Sequence, residues 1–262
     1  MFQWNPSDYE KNSSAQERAA EAILSRLEFG GNEHILDIGC GDGKVTIKMA
    51  SLVPQGQVLG IDSSFEMIDF ARTRFPSPRY SNLRFEQGDA QNLSYDQKFD
   101  LVTSFACLHW VKDHLAVLRG IKRSLRPGGR MIIQCGGRGT DDDIFALTRE
   151  IIRSDRWSEY FRGYSNPHGI YGPEEYHAWL AQVGLEEVKV MLTVKDMVLP
   201  GKVGLDGFIR TTWLSVIERI PVEMRPQFIS EVSDRYLERR PIEDGKALVG
   251  MAVLEAEARR ID

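Results

Sequence analysis

Residues 35 to 43 read Ile-Leu-Asp-Ile-Gly-Cys-Gly-Asp-Gly, and this stretch decides the fold. The apolar residues Ile35, Leu36 and Ile38 predict a buried strand, and a helical pattern from Lys44 follows three glycines at alternate positions. Because Gly39 and Gly41 carry no side chain, their backbone can come close to a ligand that lies across the strand end. The stretch therefore predicts a nucleotide-binding strand, turn and helix.

The spacing of the glycines excludes two phosphate-binding loops. The dinucleotide fingerprint needs glycine at the sixth position, where this chain has Lys44. The phosphate loop needs glycine at position 38 and Ser or Thr at 45, which here are Ile and Val. Instead, Asp37 places a carboxylate at the strand end, and a carboxylate repels phosphate and attracts a cation.

A second acid, Asp62, ends the next predicted strand. An acid about 20 residues beyond a glycine loop can accept hydrogen bonds from a ribose, in several families of nucleoside-binding enzymes. The alternative is that Asp62 caps the helix that begins at Ser63 or Ser64. Asp62 thus favours nucleoside binding but does not indicate which cofactor is bound.

Strand and helix patterns alternate from His34 to Ile133, with predicted strands at 35–38, 58–61, 83–88, 99–105 and 131–133. Five such units predict an α/β fold, a doubly wound, mostly parallel Rossmann-like sheet whose ligand lies at the carboxyl ends of the strands. Two later strands, at 185–190 and 248–254, would make seven, with the last at the sheet edge. We divide the chain into an amino-terminal helical lid (1–29), the core (30–137), a helical cap insert (138–184) and a final part (185–262) with a second insert at about 200–245.

Composition narrows the functional class. The 262 residues carry a formal net charge of −5, which disfavours a general nucleic-acid interface. Three widely spaced cysteines indicate reduced thiols, and the amino terminus shows neither a signal peptide nor a membrane-spanning run. We expect a cytoplasmic protein without nucleic-acid or membrane partners, and the choice between monomer and homodimer stays open.

Two polar segments have competing interpretations. Tyr9, Asn12, Ser13 and Gln16 share one face if this stretch is helical, although a capping box at Ser13 or Ser14 would explain the same residues without a ligand. The run from Asp141 to Asp143 suggests a metal site, but it lacks histidines or further acids at ligand spacing. Acids in a first helical turn also stabilise the helix dipole, so we predict no metal.

The stretches 35–43, 99–110 and 125–133, with Asp62 and Asp89, resemble the class I S-adenosylmethionine (SAM)-dependent methyltransferases in order and spacing. The resemblance implies SAM as cofactor and S-adenosylhomocysteine as product. In this family an acid at the place of Asp89 faces the adenine. The cofactor-binding residues that we predict are Ser13, Asp37, Gly39, Cys40, Gly41, Asp62, Ser63, Met67, Asp89, Ala90 and Phe105.

Two further motifs narrow the methyl acceptor. Tyr9-x-Lys-Asn-Ser-x-x-Gln16 and Leu108-His109-Trp110 resemble the paired signature of carboxylate methyltransferases, the plant salicylate and jasmonate group and the insect juvenile hormone acid enzymes. The insect enzymes are also similar at 156–158 and 218–221, and the trans-aconitate methyltransferases at Trp4-Asn5-Pro6. Carried over, the resemblance implies that Gln16 and Trp110 hold a carboxylate. We predict Tyr9, Gln16, Trp110 and the cap residue Trp213 at the substrate, and Gln16, Trp110 and His109 as catalytic.

The leading hypothesis is esterification of a small organic acid, because an ionised carboxylate needs positioning but no general base. The alternative acceptor is a hydroxyl, amine or carbon with His109 as base. A non-catalytic SAM-fold protein and a nicotinamide dehydrogenase are weaker alternatives. An acceptor with a second carboxylate would need a cap arginine, for which the candidates are Arg138, Arg153, Arg156, Arg162 and Arg210.

Overall fold

The structure is a computed structural model that describes residues 4–139 and 142–262. The strands are β1 (His34–Ile38), β2 (Gln57–Asp62), β3 (Leu83–Gln87), β4 (Phe99–Phe105), β5 (Leu125–Gly136), β6 (Glu186–Pro200) and β7 (Lys246–Arg259). The helices are α1 (Pro6–Asn12), α2 (Ser14–Leu24), α3 (Lys44–Leu52), α4 (Phe65–Arg74), α5 (His114–Ser124), α6 (Asp142–Ile151), α7 (Pro173–Val183), α8 (Gly201–Thr212), α9 (Leu214–Ile217) and α10 (Arg225–Arg239).

The seven strands form one sheet in the order β3-β2-β1-β4-β5-β7-β6. The pairs among the first five strands are parallel, while β7 runs antiparallel to both β5 and β6. The predicted doubly wound, mostly parallel seven-stranded sheet is confirmed. Its strand order reverses between β1 and β4, and a ligand-binding crevice opens at the carboxyl ends of strands that flank such a reversal.

The prediction that the last strand lies at the sheet edge is wrong. β7 pairs with β5 over 130–136 and with β6 along its whole length, so β6 forms the edge instead. The long insert between β6 and β7, which contains α8, α9 and α10, lets β7 return antiparallel between β5 and β6, and sequence order therefore does not give spatial order here.

Hydrophobic packing explains why the layers form. Helices α2, α3 and α4 bury apolar side chains on one face of the sheet, and α5 and α7 do so on the other. A third apolar cluster joins α6, α8 and α10 to Leu199, Ala247 and Val249, which lie on the ends of β6 and β7. The two long strands thus carry the cap helices above the carboxyl ends of the core strands.

The amino-terminal segment differs from its predicted form. We predicted a helix from Ala15 that ends near Gly30, but α2 ends at Leu24 and a separate helix, α1, precedes it. No side-chain capping bond forms at the start of α2, so the capping-box interpretation of Ser13 is wrong. The predicted first residue of α6, Asp141, lies outside the described residues, as do residues 1–3 of the predicted lid.

Candidate active site

The glycine loop packs against the neighbouring strands through its backbone. Gly39 has a φ of +74°, and its N–H donates to the carbonyl of Ile61 at 2.7 Å. A Cβ at this position would lie 2.2 Å from the Sγ of Cys107. The requirement for glycine at 39 therefore comes from backbone conformation and internal packing as well as from ligand approach.

Asp62 joins the end of β2 to the same loop. One oxygen of its carboxylate accepts from the N–H of Gly41 at 3.1 Å, and the other accepts from the N–H of Ser64 at 2.9 Å. A carboxylate has about four acceptor positions, so Asp62 keeps acceptor capacity for a ribose hydroxyl. The helix cap that competed with this interpretation belongs to Ser64, whose hydroxyl accepts from the N–H of Met67.

Asp37 is buried under the loop, between two hydroxyl groups. Thr46 and Thr103 donate to its two carboxylate oxygens at 2.7 and 3.0 Å. Burial raises the pKa of Asp37 to about 6, although both hydroxyls oppose that rise. Asp37 also lines the small cavity between loop and lid, where its negative charge faces the region in which a cationic ligand end would lie.

The other predicted cofactor residues follow the edge of the crevice. Met67 and Ala90 are buried, while Ser63 is exposed. Asp89 is exposed and accepts from the N–H of Gln91 and the side chain of Asn92. Phe105 and Cys40 line the small cavity.

The lid closes over the loop through polar contacts. The Nζ of Lys44 donates to the hydroxyl of Ser13 at 2.9 Å and to the carbonyl of Glu10 at 3.1 Å. Tyr9 is half-buried beside the loop, and loss of solvent around its hydroxyl raises its pKa well above the usual range. The cavity left between lid and loop measures about 40 Å³, far below the volume of a nucleoside pocket. The lid in this position therefore leaves little free volume directly over the glycine loop.

A larger cavity, of about 460 Å³, lies between the lid, the core and the cap. Its wall is mainly apolar, with side chains from both cap inserts and from β6 and β7: Phe145, Ile170, Met197, Phe208, Trp213, Met251 and Val253. The predicted substrate residue Trp213 is one of them, and it stacks on Phe145 with 5.0 Å between ring centroids. We call this space the acceptor cavity.

Gln16 lines both the small cavity and the acceptor cavity, as do Tyr9 and Ala106. The Oε1 atom of Gln16 is buried without a hydrogen-bond partner. An unpaired buried polar atom costs about 1–3 kcal/mol, which a ligand with a matching group would recover. Gln16 thus stands where a methyl donor in one cavity and an acceptor in the other would meet.

His109 and Trp110 lie on a 3₁₀ turn, Leu108–Trp110, that follows β4 and lines the acceptor cavity. Trp110 packs edge-on to Trp4 of the lid, with 5.3 Å between ring centroids. His109 is half-buried in the cavity wall, and desolvation lowers its pKa to about 3, with His168 and His114 adding to the effect. A histidine with so low a pKa is neutral at pH 7 but is a weak base.

Comparisons with known proteins identify the family. A family model described as a methyltransferase domain matches residues 30–183. The chain belongs to this methyltransferase family. It is a class I SAM-dependent methyltransferase, and the predicted enzyme class and cofactor are confirmed.

Relatives extend the similarity to the whole chain. A trans-aconitate 2-methyltransferase of Deinococcus radiodurans is 32% identical over 214 residues, covering 80% of this chain and 81% of that one. Its counterpart in Escherichia coli is 27% identical and covers both chains fully. A phosphoethanolamine N-methyltransferase of Haemonchus contortus, solved with SAM, has a TM-score of 0.60 and 20% identity, over 94% of this chain and 53% of that chain. At that identity the structure shows a shared fold.

The cap arginines of this methyltransferase do not line the acceptor cavity. Arg138 pairs with Glu175, Arg156 with Glu231, and Arg210 with Asp8. Arg153 and Arg162 are exposed and are absent from the cavity wall. The arginine that does line it is Arg18 of α2, which we had not considered.

Sequence reasoning missed three more residues of the site. Trp4 lines the acceptor cavity, and Lys44 ties the lid to the glycine loop. His168 also lines the acceptor cavity, although it is 59 positions from His109 in the chain. The Trp4-Asn5-Pro6 resemblance was a signal for Trp4, but no local pattern distinguishes His168 or Lys44.

The described residues also bear on metal binding and on membrane insertion. Among residues 4–139 and 142–262, no set of three or more His, Cys, Asp or Glu side chains is arranged to hold a metal ion, and part of the Asp141–Asp143 run lies outside them. Within the same residues no helix has the length and apolarity to cross a membrane.

Proposed function

We propose that the enzyme esterifies the carboxylate of a small organic acid by methyl transfer from SAM. The observation that carries this proposal is the position of Gln16, an uncharged side chain with an amide donor at the junction of the cofactor and acceptor cavities. The trans-aconitate methyltransferases, whose names specify an acid as acceptor, support it.

The chain's own residues would hold and orient the acid. The amide of Gln16, with its NH₂ turned toward the ligand, and the indole N–H of Trp110 would each donate to the carboxylate. When bound, SAM supplies an electrophilic methyl group. Holding the nucleophilic oxygen about 3 Å from that methyl carbon, in line with the sulfur bond, removes most of the entropic cost of the reaction.

Acid–base chemistry at the site agrees with a carboxylate acceptor. A carboxylate is already ionised at pH 7 and needs no base. A hydroxyl or amine acceptor would need one, and the predicted base, His109, has a pKa lowered to about 3 by burial. The pKa of His109 therefore counts against the alternative acceptors.

The wall of the acceptor cavity favours an acid with an apolar body. Aromatic, Met and Val side chains dominate the wall, and its cationic side chains are Arg18 and Lys195. None of the five cap arginines reaches it. We expect a monocarboxylic acid such as decanoate or benzoate to be a better acceptor than a tricarboxylic acid such as trans-aconitate.

The test uses SAM labelled in its methyl group, with decanoate, benzoate and trans-aconitate as acceptors. We expect label that mild alkali releases as methanol. Gln16→Glu, which is nearly isosteric but places a negative charge against the carboxylate, should lower ester formation at least about 100-fold, equivalent to about 2.7 kcal/mol. The affinity for SAM should change less than threefold.

The matched control is Gln55→Glu, which makes the same charge change at an exposed position outside both cavities. It should behave as the wild type. Label that resists alkali with every acceptor would refute ester formation. Ester formation that Gln16→Glu leaves intact would refute the role of Gln16.

The cytoplasmic location, the lack of nucleic-acid and membrane partners, and the division into lid, core and cap inserts stay predictions. So do the individual cofactor contacts proposed above. For these residues the structure gives position and surroundings, which are compatible with the proposed roles.

A further inference from the structure

His168 presents a second buried polar atom to the acceptor cavity. Its Nε2 is buried and has no hydrogen-bond partner, as is the case for Oε1 of Gln16. Among the described residues, these two are the buried unpaired side-chain atoms whose residues line this cavity. A folded protein tolerates few such atoms, and their cost is removed when a ligand supplies the missing partner.

The backbone holds His168 firmly beside the predicted catalytic turn. The N–H of the next residue, Gly169, donates to the carbonyl of His109 at 3.0 Å. A Cβ on Gly169 would lie 1.9 Å from the carbonyl oxygen of Val111, so the two chain segments approach as closely as a glycine allows. The hydroxyl of Tyr171 also donates to the carbonyl of Lys112 at 2.6 Å. The loop of His168 and the turn of His109 and Trp110 are therefore held together by backbone contacts.

The imidazole ring lies next to Trp110. Its ring meets the indole edge-on, with 4.6 Å between centroids and 77° between planes. Phe145 of the cap packs on the other side at 6.3 Å. Burial lowers the pKa of His168 to about 4, so the ring is neutral at pH 7 and has one N–H donor. These contacts restrict the ring orientation, and the unpaired Nε2 belongs to a residue of the cavity wall.

We infer that the Nε2–H of His168 donates a third hydrogen bond to the acceptor carboxylate, beside those from Gln16 and Trp110. This inference rests on the proposed function. A carboxylate accepts about four hydrogen bonds, so a third donor has a free position. A neutral donor also suits the reaction, because the carboxylate loses its negative charge during methyl transfer. A cation would stabilise the ionised ground state more than the transition state and would slow the step.

The competing explanation is that His168 only packs against Trp110, and two substitutions separate the roles. His168→Phe keeps an aromatic ring against Trp110 and removes the nitrogen, whereas His168→Gln removes the ring and supplies an amide N–H. The control is His177→Phe, at an exposed histidine that pairs with Glu187 on the surface. Each variant is assayed with labelled SAM and decanoate for kcat, KM and SAM affinity, with its Tm as a check of folding.

If His168 donates to the carboxylate, His168→Phe raises KM for decanoate about tenfold or more with SAM affinity unchanged, and His168→Gln recovers part of that loss. His177→Phe matches the wild type. The inference is overturned if the KM of His168→Phe for decanoate lies within twofold of the wild-type value, or if His168→Gln has a higher KM than His168→Phe. In either case, ester formation by the wild type leaves the proposed function standing. Alkali-resistant label in the wild type overturns the proposed function and, with it, the inference.

Discussion

The two ends of the active site are built in different ways. The cofactor end consists of seven consecutive residues, 37–43, with Asp62 from the adjacent strand, and backbone groups make most of its bonds. The acceptor end draws on side chains from Trp4 to Val253, carried by the lid, the core, both inserts and the two long strands. A local sequence motif determines the conformation of the cofactor end. The acceptor end forms only when distant segments of the chain pack correctly. Changes at the first should therefore affect folding and cofactor together, and changes at the second should affect the acceptor alone.

The largest effect that we expect comes from Gly39→Ala. The new Cβ would meet the Sγ of Cys107 at 2.2 Å, on a residue with a φ of +74°. Conformational strain of about 1–2 kcal/mol and the collision together should lower the free energy of unfolding by about 3 kcal/mol or more, and SAM binding should be lost. Urea unfolding and a SAM titration measure the two effects.

Gly128→Ala serves as the matched control for this substitution. Gly128 has a φ of +80°, but nothing lies within 4 Å of its Cβ position. The control should cost only the strain, about 1–2 kcal/mol, and should leave SAM binding intact. Equal losses for Gly39→Ala and Gly128→Ala would show that the loop does not depend on close packing with Cys107.

A smaller effect concerns the acceptor end, where His168 should make the free energy of unfolding depend on pH. An unfolded histidine has a pKa near 6.5, but burial lowers that of His168 to about 4. Between these values the unfolded chain binds a proton that the folded chain does not, so stability present above pH 6.5 falls as the pH falls toward 4. From pH 7 to 5 this linkage should cost the wild type roughly 2 kcal/mol that His168→Phe does not lose.

The test of this linkage compares urea unfolding of the wild type and His168→Phe at pH 7 and pH 5. The difference between the two proteins removes the contribution of other groups, such as Asp37, whose raised pKa has the opposite sign. A difference that does not change with pH would mean that His168 is not buried in solution.

The smallest effect concerns the lid that joins the two ends. Helix α1 buries no residue and is held by ion pairs, from Asp8 to Arg210 of the cap and from Glu10 to Arg74 of α4. Because both pairs are partly exposed, Arg210→Ala or Arg74→Ala should lower global stability by less than about 1 kcal/mol. Each should nevertheless speed amide hydrogen exchange across residues 6–12, because the loss of an ion pair that holds α1 lowers the free energy of its local opening.

Arg149→Ala is the control, since the structure shows no ion pair for this exposed arginine among the described residues. In the Arg149→Ala variant, amide hydrogen exchange in residues 6–12 should match that of the wild type. The same exchange rates in the Arg210 and Arg74 variants would show that contacts other than these ion pairs hold α1 closed.

The sequence by itself determined the fold class and the cofactor. Strand periodicity and the glycine spacing from 37 to 43 are local properties, and a parallel sheet brings its strand ends to one edge whatever the caps do. The resemblance to carboxylate methyltransferases also directed attention to Gln16 and Trp110, although their roles stay proposals. Gln16 and Trp110 each lie in a short motif, and the residues of such a motif are close together both in sequence and in space.

Only the tertiary structure decided the remainder. The place of β7 inside the sheet depends on which edge of β5 was free, and the sequence of β7 does not indicate which strand it pairs with. The pairing of Lys44 with Ser13 joins segments 31 residues apart, and the contact of His168 with Trp110 joins segments 58 apart. Such contacts follow from how the inserts pack on the core. Packing energy is summed over many side chains, so no single stretch of sequence specifies where those contacts fall.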